Sequence, residues 1–175
     1  DEAYSIGPRD VLSLVIYAGG EEQYRLDVTV NAQGMINVPF IGAVRSEGLT
    51  VPQLETRIFE PLARDYFVNP EVNIRIREYH SLRYYISGAV GSPGLYEMSA
   101  KATLMTLIAK AGGVLPERGD IAYILRNAAE EIAGENDVAN LLSHREPIKV
   151  NLKGLLDEGD MSHNVLLQSD DVVYI

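Results

Sequence analysis

Alternating hydrophobic and polar positions near the start of the chain predict β-strands. In DVLSLVIY, residues 10–17, apolar side chains occupy both alternating sets, which is typical of a strand covered on both faces. One set is Leu12, Leu14 and Ile16, and the other is Val11, Val15 and Tyr17. Two further strand-like segments, LDVTV and MINV, flank NAQG at residues 31–34, whose Asn and Gly favour a tight turn. We therefore predict a hairpin between these two segments.

A helical period follows from residue 50. Thr50 and Gln53 have the spacing of a capping box, and apolar residues then recur at steps of three or four. These residues are Val51, Leu54, Ile58, Leu62 and Tyr66. Pro61 predicts a kink or an early break, because a proline ring clashes with the carbonyl four residues earlier.

The segment EVNIRIRE, residues 71–78, returns to strict alternation and predicts a strand. The predicted inward residues are Val72, Ile74 and Ile76, and the predicted outward ones are Asn73, Arg75 and Arg77.

The second half of the chain has the same mixture of strands and one main helix. RYYISG, LYEM, DIAYILR, PIKVNL and DDVVYI have strand character, and Thr103 opens a short helix that Gly112 ends. The segment NAAEEIAGEND, residues 127–137, is polar and acidic, which predicts a solvated excursion that is partly helical. The similarity between the segments RDVLSLVIY and DDVVYI is too short to establish an internal repeat. The whole pattern predicts an α+β fold of two small domains, each a mixed β-sheet with one main helix.

Glycines crowd SGAVGSPGLYEM, residues 87–98, and raise the question of a phosphate site. Their spacing is G-x-x-G-x-x-G, whereas a dinucleotide fingerprint needs G-x-G-x-x-G and a P-loop needs G-K-[ST]. A strand-like segment follows, so no helix N-terminus faces an anion. Pro93 and Gly94 suit the central positions of a type II turn, and Gly88 suits a close backbone approach. We interpret these glycines as structural.

Charge and composition narrow the classes of function. The formal net charge is -10, so non-specific nucleic-acid binding, which depends on Lys and Arg, is excluded. The absence of cysteine excludes disulfides and thiolate chemistry. No apolar run reaches the length of a membrane helix. No signal peptide is visible, and because DEAYSIG enters a strand pattern almost at once, we expect that this end was processed or trimmed.

No catalytic or metal-binding constellation stands out. His80, His144 and His163 lie far apart, and neither DEGDMSHN nor QSDD has the alternating ligands of a calcium loop. A pair of carboxylates for glycoside hydrolysis stays open, although nothing singles out two of the 25 acidic residues. We expect no catalysis, no cofactor and no metal.

One segment concentrates residues suited to binding. RIREYHSLRYY, residues 75–85, combines arginine forks, which pair with carboxylates, and tyrosines, which offer an apolar face with a polar tip. It would suit acidic sugars or a protein partner, or it could simply hold the outward residues of two strands at a domain junction. The candidate contact residues are Arg75, Arg77, Tyr79, Arg83, Tyr84 and Tyr85.

The order of the motifs resembles the bacterial polysaccharide export family. YSIGPRDVLSLVIY is similar to the family's opening, with Gly7, Pro8 and Asp10 in the motif and Arg9 where a glycine is common. VTVNAQGMINVPFIGAV, GLTVPQLETRI and NPEVNIRI resemble its next hairpin, capped helix and closing strand.

The second half resembles the soluble-ligand-binding β-grasp (SLBB) domain. The matching segments are YISGAVGSPGLYEM, TLMTLIAKAGGV and LLQSDDVVYI, the last with Ser169-Asp170 where Gly-Asp is more usual. The structural positions carried over are Gly88, Pro93, Gly94, Gly112 and Gly113.

The resemblance implies an export domain over residues 1–79 and a β-grasp domain over residues 80–175, with 127–146 as an inserted acidic loop. It implies a non-enzymatic component of a capsule, exopolysaccharide or biofilm export machine, in the periplasm at the outer membrane. The implied partners are the polysaccharide, further copies in a ring, and an inner-membrane polysaccharide co-polymerase or tyrosine kinase. Larger relatives carry a lipid anchor and a membrane-crossing helix. Neither is seen here, so we expect that the ends were removed or that a separate outer-membrane β-barrel takes part.

Two other functions stay open. A soluble receptor built on the β-grasp domain would bind a small ligand or sugar with one-to-one stoichiometry. A polysaccharide hydrolase or lyase would instead turn polymer over.

Overall fold

The computed structural model describes residues 3–175, except for the side chain of Glu135. The chain divides into two compact units, Asp1–Ser81 and Leu82–Ile175, which we call unit 1 and unit 2. Each unit has a hydrophobic core of its own.

Unit 1 packs one helix against antiparallel strands. Its strands are β1 (Val11–Ala18), β2 (Glu21–Thr29), β3 (Met35–Val38), β4 (Gly42–Arg45) and β5 (Glu71–Glu78), and its helix is α1 (Val51–Asp65). The main sheet has the order β2-β1-β5, and β3 pairs with β4 in a separate hairpin. The alternation predicted for β1 and β5 is confirmed, since Leu12, Leu14 and Ile16 are fully buried and Arg75 and Arg77 are exposed.

The predicted hairpin between the second and third strands is wrong. The turn at residues 31–34 does form, because the Gly34 N–H donates to the Asn31 carbonyl over 2.9 Å. However, it joins strands of different sheets, and β2 pairs with β1 instead. Gly19 and Gly20, with φ of 62° and 77°, connect that pair as the two central residues of a tight hairpin turn, which favours positive φ.

Helix α1 begins as predicted. The Thr50 hydroxyl accepts from the Gln53 N–H, and the Gln53 side chain accepts from the Thr50 N–H, which completes the capping box. The early break expected at Pro61 does not occur, since the helix continues to Asp65. The buried side of the helix packs into the core of unit 1 through Leu54, Ile58 and Leu62.

Unit 2 is built on one five-stranded sheet. Its elements are β6 (Arg83–Ser87), β7 (Gly94–Glu97), α2 (Leu104–Lys110), β8 (Ile121–Leu125), α3 (Glu135–His144), β9 (Ile148–Asn151), α4 (Leu152–Leu156) and β10 (Asp171–Tyr174). The strand order is β7-β6-β10-β8-β9, with β6 and β10 parallel and every other pair antiparallel. A central parallel pair formed by the first and last strands is the β-grasp arrangement. The α+β class is therefore confirmed, and the mixed sheet predicted for both domains is found in unit 2.

The glycine-rich connection between β6 and β7 differs from the predicted turn. Gly94 has φ of 153° and is the first residue of β7, so Pro93 and Gly94 are not the centre of a type II turn. The close approach expected at Gly88 is confirmed, because its φ is 90° and a Cβ there would overlap the carbonyl oxygen of Ile175. Gly112 and Gly113, with φ of 87° and 83°, end α2 as expected for a left-handed stop.

The acidic segment from residue 127 is not a solvated excursion. It forms a 3-10 turn at Ala129–Glu131 and helix α3, which agrees with the helical part of the prediction. Its small apolar residues Ala128 and Val138 are buried against Leu125 and Val172 of the sheet. The segment is acidic, but these apolar contacts are enough to hold it on the sheet.

A buried carboxylate lies at the start of β1 in unit 1. Asp10 is fully buried and accepts from the backbone N–H groups of Gly7 (2.9 Å), His80 (2.7 Å) and Ser81 (2.9 Å). It also accepts from the hydroxyls of Tyr4 (2.6 Å) and Ser81 (3.1 Å). Burial is the largest cause of the raised pKa of the Tyr4 hydroxyl, and the bond to Asp10 raises it further. The carboxylate thus joins the segment before β1 to the segment after β5.

We expect Asp10→Asn to lower the free energy of unfolding of unit 1 by about 2 to 4 kcal/mol, because an amide cannot accept on both sides. Urea unfolding measures this, and amide hydrogen exchange should show faster exchange at Gly7, His80 and Ser81. Asp65→Asn, at the exposed end of α1, is the control and should change stability by less than about 0.5 kcal/mol. Equal midpoints for the two variants would contradict this role of Asp10.

Candidate functional site

The solvent-facing side of the β2-β1-β5 sheet gathers three of the arginines of unit 1. In register across the three strands, Ser13 of β1 lies opposite Asp27 of β2 and Arg75 of β5. The neighbouring outward positions add Arg25 and Arg77. Because side chains on a strand alternate between faces, Leu12, Leu14 and Ile76 point the other way into the core. We call this surface, comprising Ser13, Arg25, Asp27, Arg75, Arg77 and Tyr79, the arginine face.

The arginine face borders a depression of about 900 Å³. Arg77 forms an ion pair with Asp27, and Arg25 forms one with Glu22 at 2.6 Å. Among the residues that the structure describes, none pairs with Arg75. Tyr79 packs edge-on against Tyr4, with ring centroids 4.8 Å apart, so the chain that Asp10 holds also orients one side of this face. The surface therefore offers one free guanidinium beside two that exposed carboxylates occupy.

This chemistry suits recognition of carboxylates. A guanidinium binds a carboxylate through paired, parallel N–H donors, and exposed partners such as Asp27 exchange at little cost. No histidine lies among these residues to transfer protons near neutral pH. In the described part of the chain, no group of three or more His, Cys, Asp or Glu residues is placed to hold a metal ion.

The structure divides the predicted patch at residues 75–85 between the two units. Arg75, Arg77 and Tyr79 belong to the arginine face of unit 1, whereas Arg83, Tyr84 and Tyr85 begin unit 2. Tyr84 has no exposed surface and packs in the core of unit 2, where its hydroxyl accepts from the Ala102 N–H at 3.3 Å and burial raises its pKa. Its inclusion as a contact residue is therefore corrected: it is a core residue, because β6 is covered on both faces.

Arg83 is held within unit 2 by ion pairs. Its guanidinium donates to Asp170 at 2.5 Å and to Glu130 at 2.9 Å, and 14% of its side chain is exposed. Tyr85, on the opposite side of β6 from Tyr84, packs against the buried cluster below α3. Both residues contact the acidic segment, and the charge of Arg83 is already paired.

Sequence reasoning missed the contribution of β2 to the arginine face. Arg25 and Asp27 alternate with apolar residues in YRLDV, which is the signal that places them on an outward face. The predicted pairing of β2 with β3 did not place these residues on the arginine face. Only the pairing of β2 with β1 brings Arg25 and Asp27 to the same face as Ser13 and Arg75.

A second buried carboxylate begins the last strand of unit 2. Asp171 has no exposed surface, and its Oδ2 accepts from the Gln168 N–H at 2.8 Å and from Arg126 at 2.6 Å. Its Oδ1 has no hydrogen-bond partner among the described residues. Burial raises the pKa of this carboxyl, although Gln168 and Arg126 act in the opposite direction.

The backbone before this carboxylate resembles the backbone before Asp10. The left-handed residue before Asp171 is Asp170, with φ of 70°, just as Arg9, with φ of 75°, comes before Asp10. Within this chain, Asp170-Asp171 is therefore the structural counterpart of Arg9-Asp10.

Comparison with known proteins matches both units in chain order. A family model described as polysaccharide biosynthesis/export protein matches residues 1–77, and a model of the SLBB domain matches residues 82–175. The chain therefore carries a polysaccharide biosynthesis/export domain followed by a domain of the SLBB family. No helix in the described part of the chain combines the length and the apolar character needed to cross a membrane.

Several relatives have names that refer to polysaccharide. The polysialic acid transport protein KpsD of Escherichia coli is 28% identical over 70% of this chain and 22% of its own length. The EPS I polysaccharide export outer membrane protein EpsA of Ralstonia nicotianae is 24% identical over 98% of this chain and 47% of its own. The exopolysaccharide production protein ExoF of Rhizobium meliloti is 24% identical over 75% and 30%. The chain thus spans less than half the length of these relatives.

Because Asp171 is buried, we expect its contribution to the free energy of unfolding to depend on pH. Because its pKa in the folded chain is raised, stability falls as pH rises from the ordinary carboxyl range through the raised pKa. Each unit of that rise corresponds to about 1.4 kcal/mol. We expect the free energy of unfolding of Asp171→Asn, relative to the unchanged protein, to increase over this pH interval and then level off.

Urea unfolding at a series of pH values measures this difference. Arg126→Gln is the matched variant, because it removes a cation that lowers the pKa of Asp171, so its destabilisation should grow with pH. A stability difference between Asp171→Asn and the unchanged protein that stays constant with pH would contradict the prediction.

Proposed function

We propose that this protein is a non-enzymatic component of a machine that exports capsule, exopolysaccharide or biofilm polysaccharide from a Gram-negative cell. One observation carries this proposal: the export and SLBB family models follow one another along the chain, and each covers one compact unit. The names of the relatives, which refer to transport, export or production of polysaccharide, support it.

The proposed location is the periplasm, at the periplasmic face of the outer membrane. The name of the Ralstonia relative, an outer membrane export protein, supports this location. The proposed partners are the polysaccharide, further copies of the chain in a ring, an inner-membrane polysaccharide co-polymerase or tyrosine kinase, and a separate outer-membrane β-barrel where the protein has no membrane span of its own.

The arginine face is the proposed contact with acidic sugars of the polymer. The chain carries a net charge of -10, so an anionic polymer is repelled by most of its surface and attracted where Arg25, Arg75 and Arg77 gather. A single contact of this kind is weak, because exposed ion pairs contribute little. Repetition around a ring would multiply weak contacts into useful avidity while still allowing the polymer to move.

We expect Arg75→Glu combined with Arg77→Glu to reduce secretion of the polymer at least about tenfold, which corresponds to about 1.4 kcal/mol of lost binding summed over a ring. Secreted polysaccharide is measured in a producing strain whose only copy carries the variant, with the protein level checked by immunoblot. Arg45→Glu, an exposed arginine of β4 with the same charge change, is the control and should secrete normally. Normal secretion by the double variant would remove the arginine face from the mechanism.

A second candidate function is supported by a groove in unit 2. This groove, of about 520 Å³, is lined by Leu115, Ile121, Tyr123 and Tyr174 with Glu117 and Asp120 at its polar side. The two tyrosine rings lie 6.4 Å apart, and the volume is in the range of small-ligand sites. These features favour a β-grasp receptor that binds a small molecule or sugar.

If unit 2 is such a receptor, we expect it to form a saturable one-to-one complex with a small molecule or sugar. Calorimetry with a panel of mono- and disaccharides should then give heats that Tyr123→Ala reduces at least about tenfold, as expected when an aromatic wall of a small site is removed. Tyr96→Ala, a tyrosine of β7 outside the groove, is the control. Absence of saturable heats with every sugar would remove this candidate and leave the export proposal unaffected.

A further inference from the structure

Four aromatic side chains of unit 1, none of them in the arginine face, meet at the surface. They are Tyr24 of β2, Phe40 in the turn between β3 and β4, and Tyr66 and Phe67 directly after α1, and we call them the aromatic patch. Phe40 is central, with ring centroids 6.0 Å from Tyr24, 5.4 Å from Tyr66 and 5.3 Å from Phe67. Tyr24, Phe40 and Tyr66 remain 44%, 48% and 50% exposed. Large apolar rings in water at this density mark an interaction surface.

The backbone at Phe40 adds a second, independent observation. Its φ is 75°, in the left-handed region that glycine or asparagine adopts most readily in hairpin turns. A phenylalanine there carries a backbone cost that a glycine would avoid. Phe40 is 48% exposed, so only part of this residue packs against the rest of unit 1. The position therefore favours a ring kept for a ligand as well as for packing.

The polar groups of the patch are also available. Neither the Tyr24 nor the Tyr66 hydroxyl forms a hydrogen bond with any residue that the structure describes. The four side chains are two tyrosines and two phenylalanines, so the patch contains no carboxylate, ammonium or guanidinium group. The arginine face differs on both counts, because its guanidinium groups are charged and two of them are paired. The two surfaces of unit 1 thus present different chemistry to a ligand.

We propose that the aromatic patch binds the apolar faces of sugar rings in uncharged stretches of the polysaccharide. A pyranose ring presents C–H groups on its face and hydroxyls at its edge. The partial positive charge of the C–H groups is attracted to the negative face of an aromatic ring, and the edge hydroxyls can bond to tyrosine hydroxyls. This inference rests on the proposed export function for the presence of polysaccharide, and on the patch itself for the mode of binding.

A sugar chain fits the patch better than a protein partner does. The energetic centre of a protein interface is a desolvated pocket ringed by contacts that exclude water. The aromatic patch is instead open to solvent, since Tyr24, Phe40 and Tyr66 are 44%, 48% and 50% exposed, and its two tyrosine hydroxyls have no hydrogen-bond partner in the described chain. A hydroxyl-rich ligand satisfies those groups without desolvating a charge.

Saturation-transfer NMR and calorimetry with cellohexaose, a neutral oligosaccharide whose rings have flat apolar faces, test this inference. The intact chain should bind cellohexaose with an affinity that changes little with salt, because no charges are involved. Phe40→Asn should weaken binding at least about tenfold. Its unfolding midpoint should hardly change, because asparagine tolerates the left-handed turn. Tyr66→Phe, which removes one hydroxyl, should weaken binding by a smaller factor, and Arg45→Glu, at an exposed arginine of β4 outside both surfaces, should leave it unchanged.

Four results would overturn the inference. They are no binding of cellohexaose by the unchanged protein, equal binding by Phe40→Asn, a loss of binding that follows a fall in the unfolding midpoint, and a loss of self-association in Phe40→Asn with sugar binding retained. The last would identify the patch as an interface between copies of this chain.

A companion assay separates this inference from the export function. Deletion of the gene tests export itself through loss of secreted polymer, whereas the Phe40→Asn strain tests only the patch. If deletion abolishes secretion and Phe40→Asn does not, the export function stands and the patch is not used on the exported polymer.

Discussion

The buried carboxylate of Asp10 is the constraint on which the arrangement of unit 1 depends. A desolvated charge is expensive unless hydrogen bonds replace its water, and here five donors do so from residues 4, 7, 80 and 81. Because these donors lie before β1 and after β5, the carboxylate holds both ends of the unit together. The outward row of β5, which includes Arg75, therefore faces Ser13 and Asp27 in a fixed register.

The same local device begins β10 in unit 2, with one difference in how its charge is satisfied. In both units a left-handed residue comes before a fully buried aspartate, which accepts from the backbone N–H three residues earlier. Asp10 is saturated with neutral donors, whereas Asp171 depends on one N–H and Arg126 and keeps one oxygen without a described partner. The sequence echo between the two segments therefore reflects a shared turn at the start of a strand. It does not reflect a repeated domain, since the strand orders of the two units differ.

Features set by neighbouring residues were predictable from the sequence, and features set by distant partners were not. The capping box at Thr50, the stripe of α1 as far as Leu62, the alternation of β5 and the left-handed Gly112 depend on local geometry, and all are present. Tyr66, the last predicted member of the stripe, follows the helix and is 50% exposed. The pairing of β2 is non-local, and the turn at residues 31–34 favoured the wrong partner. Tyr84 was misplaced for a similar reason, because a strand buried on both faces gives no alternation to show which side chains are exposed.

The distribution of charge explains why only part of the arginine-rich segment at residues 75–85 belongs to the candidate site. Arg83 stabilises the acidic segment through Asp170 and Glu130, so its charge is neutralised inside unit 2. Arg25 and Arg77 have exposed partners that a ligand carboxylate can replace, and Arg75 has none in the described chain. A sugar polymer is both hydroxylated and apolar, and an acidic one is also charged. Transport requires that the polymer be bound only weakly at each point. Two separate weak surfaces, one for charged groups and one for ring faces, meet this requirement better than one deep pocket, because one contact can break while the other is kept.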